Sequence, residues 1–372
     1  MIEDLARFLT QPWVVDSKPY DATHHDAAWR LVGYDRLMSN ECPLPPSPRV
    51  LDAAREALEV CNLYPHSGEE TRRAVADFCA VPVGSVVLGN GSTEVLDVVT
   101  RLFVGHGDET VVAVPTYNFF ETQTRLCGGS PVLVPLRDDW SLDTDGLLAA
   151  VTRRTKAIFL CSPNNPTGNG WSVAELEAVL AAGVPTVVDQ AYLECGHAES
   201  FAPLVERHPN LVVTRTFSKA FGLAALRIGY GVMHPDLADA ALRLRIPFSL
   251  GLPALWAAAA ALADPADIEA RRDYISSERE RVFAALTRLE GVEPYPSEGN
   301  FILMSVAASR RTNDEIIRLA HREKILLRAM GSHRLRGTHV RVTIGLAEQN
   351  DRFLDLFGRL FAAGGSLASR SA

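Results

Sequence analysis

Residues 156–192, KAIFLCSPNNPTGNGWSVAELEAVLAAGVPTVVDQAY, decide the fold class. The run AIFLC (157–161) is apolar throughout, without the alternation of a half-solvated strand, and it stops at the turn-forming SPNNPTG (162–168). Helical spacing follows in SVAELEAVLAAG (172–183), and a second unbroken apolar run, VPTVV (184–188), ends on Asp189. Strand, helix and second strand within roughly 30 residues make one βαβ unit. The rhythm extends towards the N-terminus, with SVVLGNG (85–91) before STEVLDVVTRLF (92–103) and TVVAVPTYN (110–118) before FFETQTRLC (119–127). Strands apolar on both faces predict a largely parallel sheet covered by helices on each side.

That reading predicts an α/β domain over residues 46–250, whose first helix opens at Ser47 and Pro48 and runs to about Val60. Residues 1–45 read as an irregular arm. Residues 251–372 read as a smaller α+β domain: a helical stretch from ALWAAAAALADP (254–265) through RRDYISSERERVFAALTRLEG (271–291), then FILMSV (301–306), KILLRAM (324–330) and HVRVTIGL (339–346) as strands, and a closing helix around residues 349–363. The chain of 372 residues is long enough for about two domains. Its 47% hydrophobic and 22% charged residues exclude disorder and fibrous classes.

With 37 Lys+Arg against 45 Asp+Glu the net charge is −8, which argues against a nucleic-acid partner. The sequence shows no apolar run of the ~20 residues that span a bilayer, and MIEDLARFLTQPW lacks the basic start of a signal peptide, so a cytoplasmic location with no membrane partner is expected. The six cysteines lie at least 18 residues apart, without a C-x-x-C pair, so reduced thiols are expected and no metal site is read.

In open parallel sheets the ligand site lies beyond the carboxyl ends of the strands. The first such loop, Gly89-Asn90-Gly91-Ser92-Thr93-Glu94, reads either as an ordinary turn or as a phosphate cradle at a helix start. Tyr117, in Thr116-Tyr117-Asn118, is either a core aromatic or a platform for a flat heterocycle. The rigid SPNNPTG turn presents the amide of Asn164. Asp189 ends an apolar strand, where a carboxylate is costly unless it meets a cation or donors, or else caps the next turn; Tyr192 lies three residues on. Only four lysines exist, and Lys219 in TRTFSK (214–219) is the one at a strand end among small and apolar residues, with Arg227 eight positions later. An amine, an acid, a phenol, an amide, an aromatic platform and a phosphate cradle together fit pyridoxal 5′-phosphate, whose aldehyde forms a Schiff base with lysine and whose pyridine nitrogen needs a carboxylate.

From about Met38 to Leu360 the chain resembles the class I/II aminotransferases, particularly the branch of histidinol-phosphate aminotransferase and threonine-phosphate decarboxylase. The resemblance rests on SNECPLPPSP (39–48), LYP (63–65), GNGSTE (89–94), PTYNFF (115–120), SPNNPTG (162–168), VVDQAY (187–192), TFSKAFGLAALRIGY (216–230) and VRVTIG (340–345). It implies the pyridoxal-phosphate transferase fold of type I, a mostly parallel seven-stranded sheet between helices plus a smaller α+β domain. It further implies that Lys219 carries the Schiff base and then moves the proton at substrate Cα. Asp189 would pair with the pyridinium, Asn164 and Tyr192 would bond the phenolic oxygen, and Tyr117 would stack on the ring. Gly91, Ser92, Thr93, Ser218 and Arg227 would hold the phosphate, joined by Tyr64 from a neighbouring subunit, hence a homodimer with shared sites. Arg341 would fork onto the substrate carboxylate, with Arg328, Asn164 and Tyr20 of the arm also facing substrate.

The chain departs from the family pattern at Cys42, at Ile246-Pro247-Phe248-Ser249-Leu250, and in the arm. There Asp16, Asp21 and Asp26 either form a solvated acidic surface or favour a cationic substrate group, and His24-His25 could contact substrate. The resemblance leaves two reactions open for the same lysine and cofactor. One is amino transfer between a biosynthetic amine such as histidinol phosphate and a 2-oxo acid. The other is a lyase reaction, by decarboxylation or elimination and cyclisation, for example of a hydroxylated arginine. A cofactor-binding regulatory module is the third reading, without a helix-turn-helix extension or basic face to favour it.

Overall fold

A computed structural model describes residues 9–17, 22–309 and 311–361. The short strand β1 (Asp35–Arg36) precedes the main sheet, which is built from β2 (Val86–Gly89), β3 (Glu109–Val114), β4 (Ser130–Pro135), β5 (Thr155–Cys161), β6 (Thr186–Asp189), β7 (Leu211–Thr216) and β8 (Gly229–Met233). Its order is β2-β8-β7-β6-β5-β3-β4. All pairings are parallel except those of β8, which runs antiparallel to β2 and β7.

Successive side chains of one strand enter two different cores. Ile158 and Leu160 of β5 pack with Val111, Val188 and Val213 on one face, while Ala157, Phe159 and Cys161 pack with Val112, Val187 and Val212 on the other. Both faces are dry, which is why these strands read as continuous apolar runs. The helix Leu252–Leu262 packs with Pro48–Leu58 and Glu69–Cys79 in the first of these cores, so that core extends past residue 250.

A second, four-stranded antiparallel sheet is ordered β12-β13-β10-β9, from β9 (Glu293–Pro294), β10 (Phe301–Ser305), β12 (Arg328–Ala329) and β13 (His339–Thr343). Between these in sequence, β11 (Ile325–Leu326) pairs in parallel with β1. The helices Pro265–Leu286, Asn313–Arg322 and Ala347–Phe361 bury Leu286, Ile316, Ala320, Phe353 and Phe357 against this smaller sheet.

Besides the core's extension past residue 250, four features differ from the sequence reading. KILLRAM, expected as a strand, forms β11 and β12 in two different sheets. The arm is not irregular: among its described residues it carries helices Pro12–Val15 and Thr23–Arg30 as well as β1. Ala28 of the second helix packs on Met38 and Leu326, which ties the arm helix to β11. Strand β4 was hidden because it lies at the sheet edge, is largely solvent-exposed and is bounded by Pro131 and Pro135. Strand β8 was hidden by its glycines. A Cβ at Gly229 would collide with the backbone of Gly91 and Ser92, and one at Gly231 would meet Val95, because helix Gly91–Phe103 lies directly on β8.

Phe159 is 1% exposed between two layers, stacked on Phe120 at 5.1 Å. Phe159→Ala should lower unfolding free energy by about 3–5 kcal/mol, measured by urea titration; a loss under about 1 kcal/mol would contradict the central position given to β5.

Candidate active site

Because β3, β5, β6 and β7 are parallel, their carboxyl ends open at one edge, and the loops leaving them carry the singular residues of the sequence. Asp189 is the last residue of β6, 3% exposed, and accepts a hydrogen bond from Thr214 Oγ1 at 3.0 Å. Burial pushes its carboxyl up to about 6, against the opposing pull of the Thr214 hydroxyl, the Ala191 amide and Lys219. Lys219 follows β7, with Nζ 3.3 Å from the Ser39 carbonyl and 5.4 Å above the Tyr192 ring. Burial pulls its amine down to about 8, and the nearby Arg341 guanidinium adds to the shift while Cys195 and Glu41 oppose it. An amine and a carboxyl displaced towards neutrality within electrostatic reach of each other are what a proton-transfer site requires.

Tyr192 is 5% exposed, its ring against Phe301 at 5.1 Å, and Asn40 Nδ2 donates to its hydroxyl at 3.0 Å. Burial raises the phenol above its ordinary range, so it stays protonated. Asn164 is 1% exposed; its Oδ1 accepts from Thr116 Oγ1 at 2.7 Å, and its Nδ2 donates to the Pro115 carbonyl at 2.9 Å. Tyr117 stands half-buried at the end of β3, stacked on Phe119 with centroids 5.8 Å apart.

Beside these groups lies a compact cradle. Gly91, at φ +72°, opens helix Gly91–Phe103, with its N–H donating to the Arg227 carbonyl at 3.0 Å. A side chain there would meet Arg227 Nη2 at 2.5 Å and strain the left-handed backbone, so glycine lets the guanidinium lie against the helix start. Arg227 Nη1 donates to Ser218 Oγ at 3.2 Å. Ser92 is buried and Thr93 half-buried in the same first turn, whose free N–H groups attract an anion.

On the smaller-sheet side, Arg341 of β13 is directly opposite Arg328 of β12. Two guanidinium groups in cross-strand register repel unless an anion lies between or near them. Arg341 Nη1 donates to Asn165 Oδ1 at 2.5 Å and Nη2 to the Met38 carbonyl at 3.0 Å, with the guanidinium carbon 5.3 Å above the Phe301 ring. The arm helix Thr23–Arg30 reaches this mouth: the charges of Glu41, Arg328, Arg36 and Lys219 all act on His25, whose imidazole is held below its ordinary value chiefly by burial. The His24 and His25 rings lie 4.1 Å apart, tilted by 40°, and both are half-buried, whereas Asp16 and Asp26 are exposed. Tyr20 and Asp21 lie outside the described residues. Tyr64 is 83% exposed, its ring 5.0 Å from that of Phe248, itself 64% exposed.

The class I and II aminotransferase profile matches residues 36–357. The chain belongs to the class I and II aminotransferases, enzymes of pyridoxal 5′-phosphate. Its relatives include a histidinol-phosphate aminotransferase of Methanosarcina barkeri, 40% identical over 87% of each chain, and histidinol-phosphate aminotransferase 2 of Pseudomonas aeruginosa, 36% identical over 95% of this chain and 98% of that one. Among solved structures, the histidinol-phosphate aminotransferase of Sinorhizobium meliloti in complex with pyridoxal-5′-phosphate superposes with a TM-score of 0.85 at 28% identity, covering 96% of this chain and 99% of that chain. The lining fits the family's cofactor: the start of helix Gly91–Phe103 lies beside the Arg227 guanidinium, a combination that suits a phosphate, and the buried Asp189 suits a protonated ring nitrogen.

The sequence reading had missed Met38, Ser39, Asn40, Thr116 and Asn165 as contacts of these groups. The signal was present, since SNE and SPNN place polar residues with turn character beside the functional runs.

The Asp189 shift fixes a sign. Its folded value of about 6 exceeds the ordinary 3.8, so the native protein holds a proton there that the unfolded chain has released. Stability is lost as pH rises between these values. Asp189→Asn should therefore stabilise the cofactor-free protein at pH 7 by about 2–3 kcal/mol, a gain that fades as the pH falls to about 4. A pH-independent melting difference would show that Asp189 is not strained by burial.

Proposed function

We propose that the chain transfers the amino group of histidinol phosphate, or a closely similar amine, to a 2-oxo acid. The observation that carries this reading is the Arg328/Arg341 pair in register across from Lys219. One arginine suits a distal phosphate, the other a carboxylate, and a near-neutral amine stands beside the latter. Histidinol-phosphate aminotransferases at 34–40% identity support the same donor.

When bound, pyridoxal phosphate supplies the electron sink that stabilises charge at the substrate carbon. In our reading Gly91, Ser92, Thr93, Ser218 and Arg227 hold its phosphate. Asp189 holds the proton on the ring nitrogen, Tyr117 covers one face, and Asn164 and Tyr192 bond the phenolic oxygen. Lys219, displaced to about 8 by burial, can both take and return a proton at substrate Cα near neutral pH. Arg341 fixes the carboxylate of the oxo acid by its planar fork, and its contacts to Asn165 and Met38 limit its rotamers before substrate arrives. Arg328 takes the phosphate of the donor, with the arm helix and His25 closing the mouth.

The exposed apolar strip of Leu63 (61%), Tyr64 (83%), Ile246 (62%) and Phe248 (64%) supports a homodimer in which Tyr64 completes the partner's cradle. Asn90 Nδ2 donates to the Ser249 carbonyl at 3.2 Å, so the strip is joined to the cradle loop of its own chain.

Mixing the holoenzyme with single amines in the absence of oxo acid tests the reaction. Histidinol phosphate should convert to the corresponding carbonyl while its amino group stays on the cofactor, both read by mass spectrometry. Product formed with the cofactor unchanged would indicate the lyase reaction instead. For the arginine roles, Arg341→Ala should raise KM for the oxo acid roughly 10- to 100-fold and affect the histidinol-phosphate half-reaction much less. Equal loss on both substrates would assign Arg341 a general structural role.

A further inference from the structure

Three consecutive residues reach three different groups of the site. The Met38 carbonyl accepts from Arg341 at 3.0 Å, the Ser39 carbonyl lies 3.3 Å from Lys219 Nζ, and Asn40 Nδ2 lies 3.0 Å from the Tyr192 hydroxyl. Asn40 is the most constrained of them. It is 1% exposed and holds φ at +54°, a left-handed conformation that asparagine adopts more readily than most residues. Its N–H donates to Thr343 Oγ1 at 2.9 Å, its Oδ1 accepts from the same hydroxyl at 3.2 Å, and its carbonyl accepts from Asn300 Nδ2 at 3.0 Å.

Counting protons fixes the direction of this network. The Thr343 hydroxyl has one proton, and it already accepts the Asn40 N–H, so the proton goes to Asn40 Oδ1. Turning the amide round would aim Nδ2 at Thr343 and leave the hydroxyl proton unpaired at a residue 1% exposed, which buried groups avoid. Nδ2 therefore faces Tyr192, and the phenol oxygen accepts. A phenol that accepts from the amide keeps its single proton for an acceptor on the other side, inside the site.

We propose that Asn40, locked by Thr343, is a positioning residue that sets the polarity of Tyr192, so that the phenol donates into the cofactor pocket and not towards the smaller sheet. The inference rests on the pyridoxal-phosphate reading of the site, in which the acceptor is the cofactor's phenolic oxygen. Thr343 lies two residues after Arg341 on β13, so both side chains leave the same face of that strand. The strand that delivers the arginine to the substrate carboxylate also fixes the direction of the phenol's hydrogen bond.

Asn40→Asp inverts the polarity with little change of shape. Aspartate tolerates the same backbone conformation, but its carboxylate only accepts, and Tyr192 must then turn its proton towards residue 40. The readout is the pH midpoint of the holoenzyme's visible cofactor absorbance, followed in the wild type, Tyr192→Phe, Asn40→Asp and the double variant. Tyr192→Phe should move the wild-type midpoint upwards by about 1 unit, because a donor to the phenolic oxygen is lost. In the Asn40→Asp background the same substitution should move it no further. Thr343→Val, which frees the amide to turn, should also shrink the Tyr192→Phe shift. A full-sized Tyr192→Phe shift in both backgrounds would overturn the role of Asn40 while leaving the site reading intact. No shift from Tyr192→Phe in the wild type would overturn the placement of Tyr192 itself, and the inference with it.

Discussion

The sheet edge that buries Asp189 and half-buries Lys219 beside it is the constraint on which the site depends. Neither group is comfortable there: the carboxyl is pushed up and the amine pulled down, each by desolvation that no protein partner fully offsets. Such an arrangement persists because the surrounding sheet over-determines it. Strands β5, β6 and β7 are buried on both faces and held in parallel register, so Asp189, the last residue of β6, cannot retreat to solvent without breaking the cores behind it.

The smaller sheet depends on the same edge for its role. Its two arginines face each other across β12 and β13, and the segment 38–40 connects Arg341 to the groups at the main sheet's edge through carbonyls and one amide. That segment sits between β1, which pairs with β11, and the helix Pro48–Leu58 of the first core. The two sheets are therefore joined at the site itself, and a displacement of either one alters the distance between the amine of Lys219 and the guanidinium of Arg341.

Much of this could be read from the sequence, for physical reasons. Strands buried on both faces leave unbroken apolar runs, and their parallel order puts every following loop at one edge, which is why Asp189, Lys219, Asn164 and Gly91 could be selected by position. Other features leave no local trace. Strand β8 carries glycines because helix Gly91–Phe103 lies against it, a tertiary demand that resembles a turn in the sequence. The register that puts Arg328 opposite Arg341 is fixed by the loop between them and by the core beneath, not by the residues alone. Asn40 was visible only as part of a motif, since its role depends on Thr343 and Tyr192, each more than 150 positions away.

In the proposed function, burial beside Arg341 makes Lys219 the amine that engages the cofactor's aldehyde. Reduction of the holoenzyme with borohydride, followed by proteolysis and peptide mass spectrometry, tests it directly. One pyridoxyl-phosphate adduct per chain is expected, on the peptide containing Lys219, and none in a Lys219→Ala variant. An adduct on Lys18, Lys156 or Lys324, or an undiminished adduct in that variant, would contradict it.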